Sequence, residues 1–81
     1  MEKCLFLYNP HSGKGKIVKN EEYIKNKLSE KFDVEIVRSQ YAGNIGDTIK
    51  ERGDLFDIIV VSGGDGTLNE AVNAIARLKN R

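Results

Sequence analysis

The stretch FDIIVVSGGDGTLNEAV, residues 56–72, passes from an apolar run to a glycine cluster and then to a helical pattern. Its first part, Phe56 to Gly63, is rich in β-branched residues and does not alternate, which is how a parallel strand buried on both faces reads. Gly63, Gly64 and Gly66 then surround Asp65. After them Leu68, Ala71, Val72, Ile75 and Ala76 recur at helical spacing and predict an inward face. A strand that runs through glycines into a helix is the joint of an α/β fold.

The rest of the chain repeats this alternation. Lys3 to Asn9 is a short apolar run stopped by Asn9-Pro10, and reads as a buried strand entering a turn. A loop, HSGKGK, leads to a polar helix from Ile17 to about Lys31, with Ile17, Ile24 and Leu28 on one side. Asp33 to Ser39 sets Val34 and Ile36 against Glu35, and Val37-Arg38 breaks the pattern as an edge strand does. A loop and a short helix with Ile45 and Ile49 inward precede the strand quoted above. The order βαβαβα predicts a three-layer, Rossmann-like parallel sheet, part of a larger one, with strand order 2-1-3. Ligands of such sheets bind beyond the carboxyl ends of the strands. Both glycine clusters follow those ends on adjacent strands.

Composition narrows the classes of function. The 81 residues make one small domain or a piece of a larger one. The formal net charge of +1 gives no global electrostatic case for nucleic acid. One cysteine, Cys4, excludes an intrachain disulfide and a metal site built from thiolates alone, and reads as a small buried hydrophobe. No apolar run approaches the roughly 20 residues of a membrane span, and the N-terminus does not read as a signal peptide. The expected compartment is cytoplasmic.

Glycines directly after a strand permit positive φ and close approach of a ligand. The helix behind them offers unpaired N–H groups and a positive dipole end, together an anion site suited to a phosphate chain. A tight strand-to-helix connection is the blander reading of the glycines, and Thr67 with Glu70 forms a T-x-x-E capping box that needs no ligand. Two named motifs fail. Counting back from Gly15-Lys16 puts Pro10 where a Walker A loop needs glycine, and Ile17 stands in place of its Ser/Thr. The dinucleotide pattern G-x-G-x-x-G lands on Asn69 from one cluster and on Val18 from the other.

NPHSGKGK, residues 9–16, together with GGDGTLNE, residues 63–70, resembles the catalytic domain of the diacylglycerol kinase family, which includes bacterial lipid kinases and the sphingosine and ceramide kinases. SQYAGN, residues 39–44, is similar to that family's Thr-x-x-x-Gly-(His/Asp) element, with Ser39 for its Thr and Asn44 for its His or Asp. The resemblance implies ATP and Mg2+ as cofactors, lipid metabolism and phospholipid biosynthesis as setting, and transfer of the γ-phosphoryl to a lipid hydroxyl such as that of diacylglycerol. It implies nucleotide contacts from Asn9, Pro10, His11, Ser12 and Gly13, from Ser39, and from Gly63, Gly64, Asp65, Gly66, Thr67, Leu68 and Asn69. Asp65 would support the magnesium-nucleotide site without ligating the metal directly; its bland reading is a turn former beside Gly66.

Lys14 and Lys16 read equally as phosphate contacts or as solvated loop lysines, and Tyr8 and Tyr41 as packing residues before base-stacking ones. The resemblance places the base, the direct metal ligands, the lipid pocket and a β-rich second domain beyond residue 81, so residues 1–81 are expected to be the nucleotide-binding N-terminal portion, with no catalytic residue of their own. The expected partners are a nucleotide, a lipid in the full-length protein, transient contact with a membrane surface, and a second copy of the chain through the edge of the third strand. No nucleic acid is expected. An NAD kinase-type enzyme and a non-catalytic nucleotide-binding or oligomerisation module are the alternative readings.

Overall fold

The computed structural model describes residues 1–78; residues 79–81, the end of the expected domain, lie outside the described residues. The elements are β1 (Glu2–Tyr8), α1 (Lys16–Ser29), β2 (Phe32–Arg38), α2 (Asn44–Arg52), β3 (Ile58–Ser62) and α3 (Asp65–Ile75). Short 3-10 turns at Ser12–Gly15 and Gly53–Leu55 precede α1 and β3. The three strands are parallel in the order β2-β1-β3, as the alternation predicts.

Register distributes the side chains. Leu5 and Leu7 of β1, with Val37 of β2 and Ile59 and Val61 of β3, face α2 and α3 and form the main core with Ile45, Ile49, Phe56, Ala71, Ala74 and Leu78. Cys4, Phe6 and Tyr8 point to the other face and are equally buried there. The Tyr8 hydroxyl meets Glu21 of α1, which places α1 over that face. Each fully buried Leu or Ile contributes about 1.5–3 kcal/mol, so β1, covered on both faces, anchors the fold.

The broken alternation of β2 is resolved by its two neighbours. Val37 joins the core under α2, while Arg38 turns to the α1 face, where its Nε donates to the Tyr8 hydroxyl at 2.9 Å. On the same face as Val37, Glu35 receives a two-pronged bond from Arg52 of α2, with Arg52 Nη2 to Oε1 at 2.6 Å. An ion pair thus closes each face of the β2 edge.

Three expectations need correction. Every residue of β3 is only half-buried, although its composition suits an interior strand, because nothing pairs with its outer edge among the described residues. Leu68 and Val72 of α3 are 42% and 63% exposed; the face laid on the sheet is carried by Ala71 and Ala74, small enough for α3 to approach both the sheet and α2. No residue of α1 is fully buried, and Ile17, Ile24 and Leu28 reach only half burial.

Candidate functional site

Three loops leave the carboxyl ends of the strands on one side of the molecule. After β1, Asn9 Oδ1 accepts the His11 N–H at 2.9 Å, and the Ser12 N–H reaches Asn9 O at 3.2 Å, closing a tight turn through Pro10. The Asn9 N–H donates to Ser62 O at 3.2 Å and the Ser39 N–H to Tyr8 O at 2.9 Å. These two bonds extend the sheet pairing into the loops and set all three side by side.

Gly15 then takes φ 78° and Lys14 φ 57°, the left-handed turn that aims the chain into α1. The cluster after β3 behaves differently. Gly64 is extended (φ −79°, ψ −176°), and none of Gly63, Gly64 and Gly66 has positive φ. An ideal Cβ at Gly63 would lie 2.7 Å from the Cβ and Cγ2 of Thr67, so this glycine serves close packing within the loop. Around Gly64 and Gly66 nothing lies within 4 Å of such an atom. Gly64, Asp65 and Gly66 are all exposed.

The capping box is not formed. Helix α3 begins at Asp65, two residues before Thr67, and its N-cap is Gly64, which provides no side-chain bond. Glu70, the box's other half, accepts the N–H of Gly46 on α2 instead. The first-turn amides of α3 therefore have no side-chain acceptor from the cap, while Asp65 puts a carboxylate in that turn.

Two depressions flank the loops. A cleft of about 340 Å³ between the β1, β2 and α3 sides collects Asn9, His11, Ser39 and Thr67, with Gln40, Tyr41, Ala42, Gly43, Ile45 and Glu70. A shallower groove of about 500 Å³ toward α1 is lined by Ser12, Lys16, Ile17, Ser62, Gly63 and Gly64. Of the residues singled out in the sequence, Asn9, His11, Ser39 and Thr67 meet in the cleft and Ser12, Gly63 and Gly64 in the groove. Pro10, Asp65, Gly66, Leu68 and Asn69 belong to the same loops but line neither. Lys16 joins Gly63 and Gly64 in the groove, and Lys14 does not.

In the β2 loop the sequence singles out Ser39, Tyr41 and Asn44, but not the turn that they build. Asn44 Oδ1 accepts the Gln40 N–H at 2.8 Å and the Asn44 N–H donates to Tyr41 O at 3.1 Å, which folds residues 40–44 into a closed turn. Ser39 Oγ donates to Tyr41 O at 3.2 Å. Tyr41 is half exposed on the cleft, and its hydroxyl donates to Asp47 Oδ2 at 3.1 Å, a bond that raises the phenol above its ordinary pKa. The turn itself has no sequence signal beyond its place just after a strand end.

Beneath the loops, Tyr8, Glu21 and Arg38 tie β1, α1 and β2 together. The Tyr8 hydroxyl donates to Glu21 Oε1, and Arg38 Nη2 reaches the same oxygen at 3.3 Å. The Tyr8 bond and the Arg38 charge hold the Glu21 carboxyl below its usual range, while burial, and then Glu21, pushes the Tyr8 phenol up. Tyr8 is thus a fully buried structural residue. Cys4 is buried too, and burial raises its thiol.

Among the described residues no group of three or more His, Cys, Asp or Glu side chains could hold a metal ion, and no helix is long and apolar enough to cross a membrane.

Known proteins share this arrangement. The sequence pattern of the diacylglycerol kinase catalytic domain matches residues 3–81. The chain is 34% identical over 83 residues to the diacylglycerol kinase of Bacillus subtilis (strain 168), covering 100% of this chain and 27% of that protein. It is 39% identical over 85 residues to the diacylglycerol kinase of Staphylococcus aureus (strain MRSA252), covering 99% of this chain and 26% of that one. A crystal structure of a diacylglycerol kinase from Bacillus anthracis (strain Sterne) is similar with a TM-score of 0.84 at 34% identity, over 96% of this chain and 29% of the other. The chain therefore spans little more than a quarter of the length of these relatives. It belongs to the diacylglycerol kinase catalytic domain family.

Proposed function

We propose that residues 1–81 form the nucleotide-holding part of a lipid kinase, which transfers the γ-phosphoryl of ATP to a lipid hydroxyl of the diacylglycerol class. The observation that carries this reading is the unfilled space at Gly64 and Gly66, at the start of a helix whose cap leaves its amides without a side-chain acceptor. A phosphate chain can approach that backbone to hydrogen-bonding distance and meet the positive end of the α3 dipole. Lys16 adds a point charge beside Gly63 and Gly64. Asn9 uses its oxygen on the His11 N–H, which leaves its amide nitrogen as a donor for a ligand. The cleft with Ser39 and Tyr41 is the room for the nucleoside end.

In-line phosphoryl transfer depends on positioning and on charge stabilisation more than on covalent chemistry by the protein. Mg2+, when bound with the nucleotide, neutralises charge on the phosphate oxygens. Asp65 is the one carboxylate in the first turn of α3, and a lone carboxylate suits a magnesium ion that keeps most of its waters and phosphate ligands. Asp65 would then support the metal site through water. The acceptor pocket and the base belong to sequence outside these residues, since the matched relatives extend well beyond the part this chain covers. The membrane-surface contact that a lipid substrate requires belongs to that part as well.

The bare, half-buried β3 edge supports a further partner, a second copy of the chain. Sedimentation of the isolated chain should show concentration-dependent dimers; a monomer at all concentrations would contradict this.

Titration with MgATP, followed by amide NMR, tests the nucleotide reading. Signals of Asn9–Gly13, Ser39 and Gly63–Asn69 should move together, with affinity on the order of millimolar, about 4 kcal/mol. Shifts scattered over the surface, or none, would contradict it.

A further inference from the structure

The start of α2 is capped from outside its own chain segment. Its N-cap, Gly43, is left-handed at φ 91° and offers no side-chain bond, and the Asn44 side chain turns back to hold Gln40. The first-turn N–H of Gly46 is taken by Glu70 of α3, whose Oε2 lies 2.5 Å away. Position 46 is also tight for a side chain: an ideal Cβ would lie 3.0 Å from Glu70 Cγ and 3.2 Å from Oε2, so Glu70 would have to give way by a few tenths of an ångström. The contact between α2 and α3 is built around this carboxylate. It is a charge-assisted bond made at the positive end of a helix, the stronger kind on both counts.

Its place in the fold matters more than its strength. Helix α2 starts where the Ser39–Gly43 loop ends, and that loop is one wall of the cleft. Glu70 sits on α3 one turn beyond Thr67, which belongs to the opposite wall, and lines the cleft itself. We propose that Glu70 is a positioning residue: its bond to Gly46 fixes the first turn of α2, and with it the Ser39–Gly43 wall, at one distance from the α3 loop. The width of the cleft is then set by a side chain that need not touch the nucleotide. This rests on the reading of the cleft as a nucleotide site only for its effect on affinity; the mechanical link stands on the fold alone.

Amide hydrogen exchange of the chain without nucleotide, together with MgATP titration, tests the link. In Glu70→Ala the bonded amides of Gln40, Asn44, Gly46 and Asp47 should exchange roughly tenfold faster relative to those of β1, and the MgATP dissociation constant should rise by a similar factor. Glu70→Gln keeps an acceptor oxygen of the same reach and should restore most of both. Gly46→Ala, which crowds only the Glu70 side chain from Cγ to the carboxylate, should reproduce the Glu70→Ala pattern in a folded protein. Phe56→Leu, in the same core at the far end of the sheet, should lower the melting temperature without this local pattern. If loop exchange in Glu70→Ala follows β1 as it does in Phe56→Leu, the proposal is overturned. Because exchange is read without ligand, failure of the unmodified protein to bind MgATP would contradict the nucleotide reading and still leave the exchange pattern to decide the link.

Discussion

In the loop after β1, Lys14 and Gly15 take φ angles of 57° and 78°; in the loop after β3, three glycines within four positions take no positive φ at all. The first loop needs glycine to turn the backbone. The second needs it for space, and that need divides again. At Gly63 the space is filled by Thr67, 2.7 Å from where a Cβ would stand, whereas at Gly64 and Gly66 it stays open to solvent. Glycine in a strand-to-helix loop thus has three causes here: a backbone angle, an internal neighbour, and room that no part of the described chain uses. Only the third points to a ligand.

Substitution by alanine separates them. The largest effect is expected at Gly63→Ala, where the new methyl meets the stiff β-branched Thr67 side chain instead of a movable tip. Overpacking of this kind costs about 1–3 kcal/mol, and chemical denaturation should show it. An unchanged midpoint would mean that the loop relaxes freely and that Gly63 belongs with Gly64. Gly15→Ala comes next. A left-handed residue with a Cβ costs about 1–2 kcal/mol, and at Gly15 the nearest atom to that Cβ, Pro10 O, is 4.0 Å away, so strain and not crowding is the whole effect. Gly15→Asn should recover part of the loss, since asparagine tolerates this region; equal losses for both variants would show that the angle is not the cause.

Much of the architecture was legible. The continuous apolar run of β1 and the charged, broken alternation of β2 carry the order β2-β1-β3, because only the middle strand can be covered on both faces and flanks. What misled was size and sequence proximity. Leu68 and Val72 look like core at helical spacing, yet Ala71 and Ala74 are the residues small enough to face the sheet and α2. Thr67 and Glu70 match a capping box, yet Glu70 finds a better partner on another helix, a contact between residues 24 apart that no local pattern encodes. Asn44 stood out only by the family resemblance, and Tyr41 only as a packing or base-stacking aromatic. Their place in the structure is set by a turn whose side-chain bonds run within residues 39–47.

The central claim is that Gly66 is kept for what approaches it from outside. Position 66 lies in the first turn of α3, has open space around it and no positive φ, so the chain itself would gain from a side chain there. The decisive measurement is the melting temperature and the MgATP-induced amide shifts of Gly66→Ala, taken on the same sample. The account predicts a protein more stable by about 0.4–1 kcal/mol whose shifts at Gly63–Asn69 are lost. A more stable protein that keeps those shifts unchanged would contradict it.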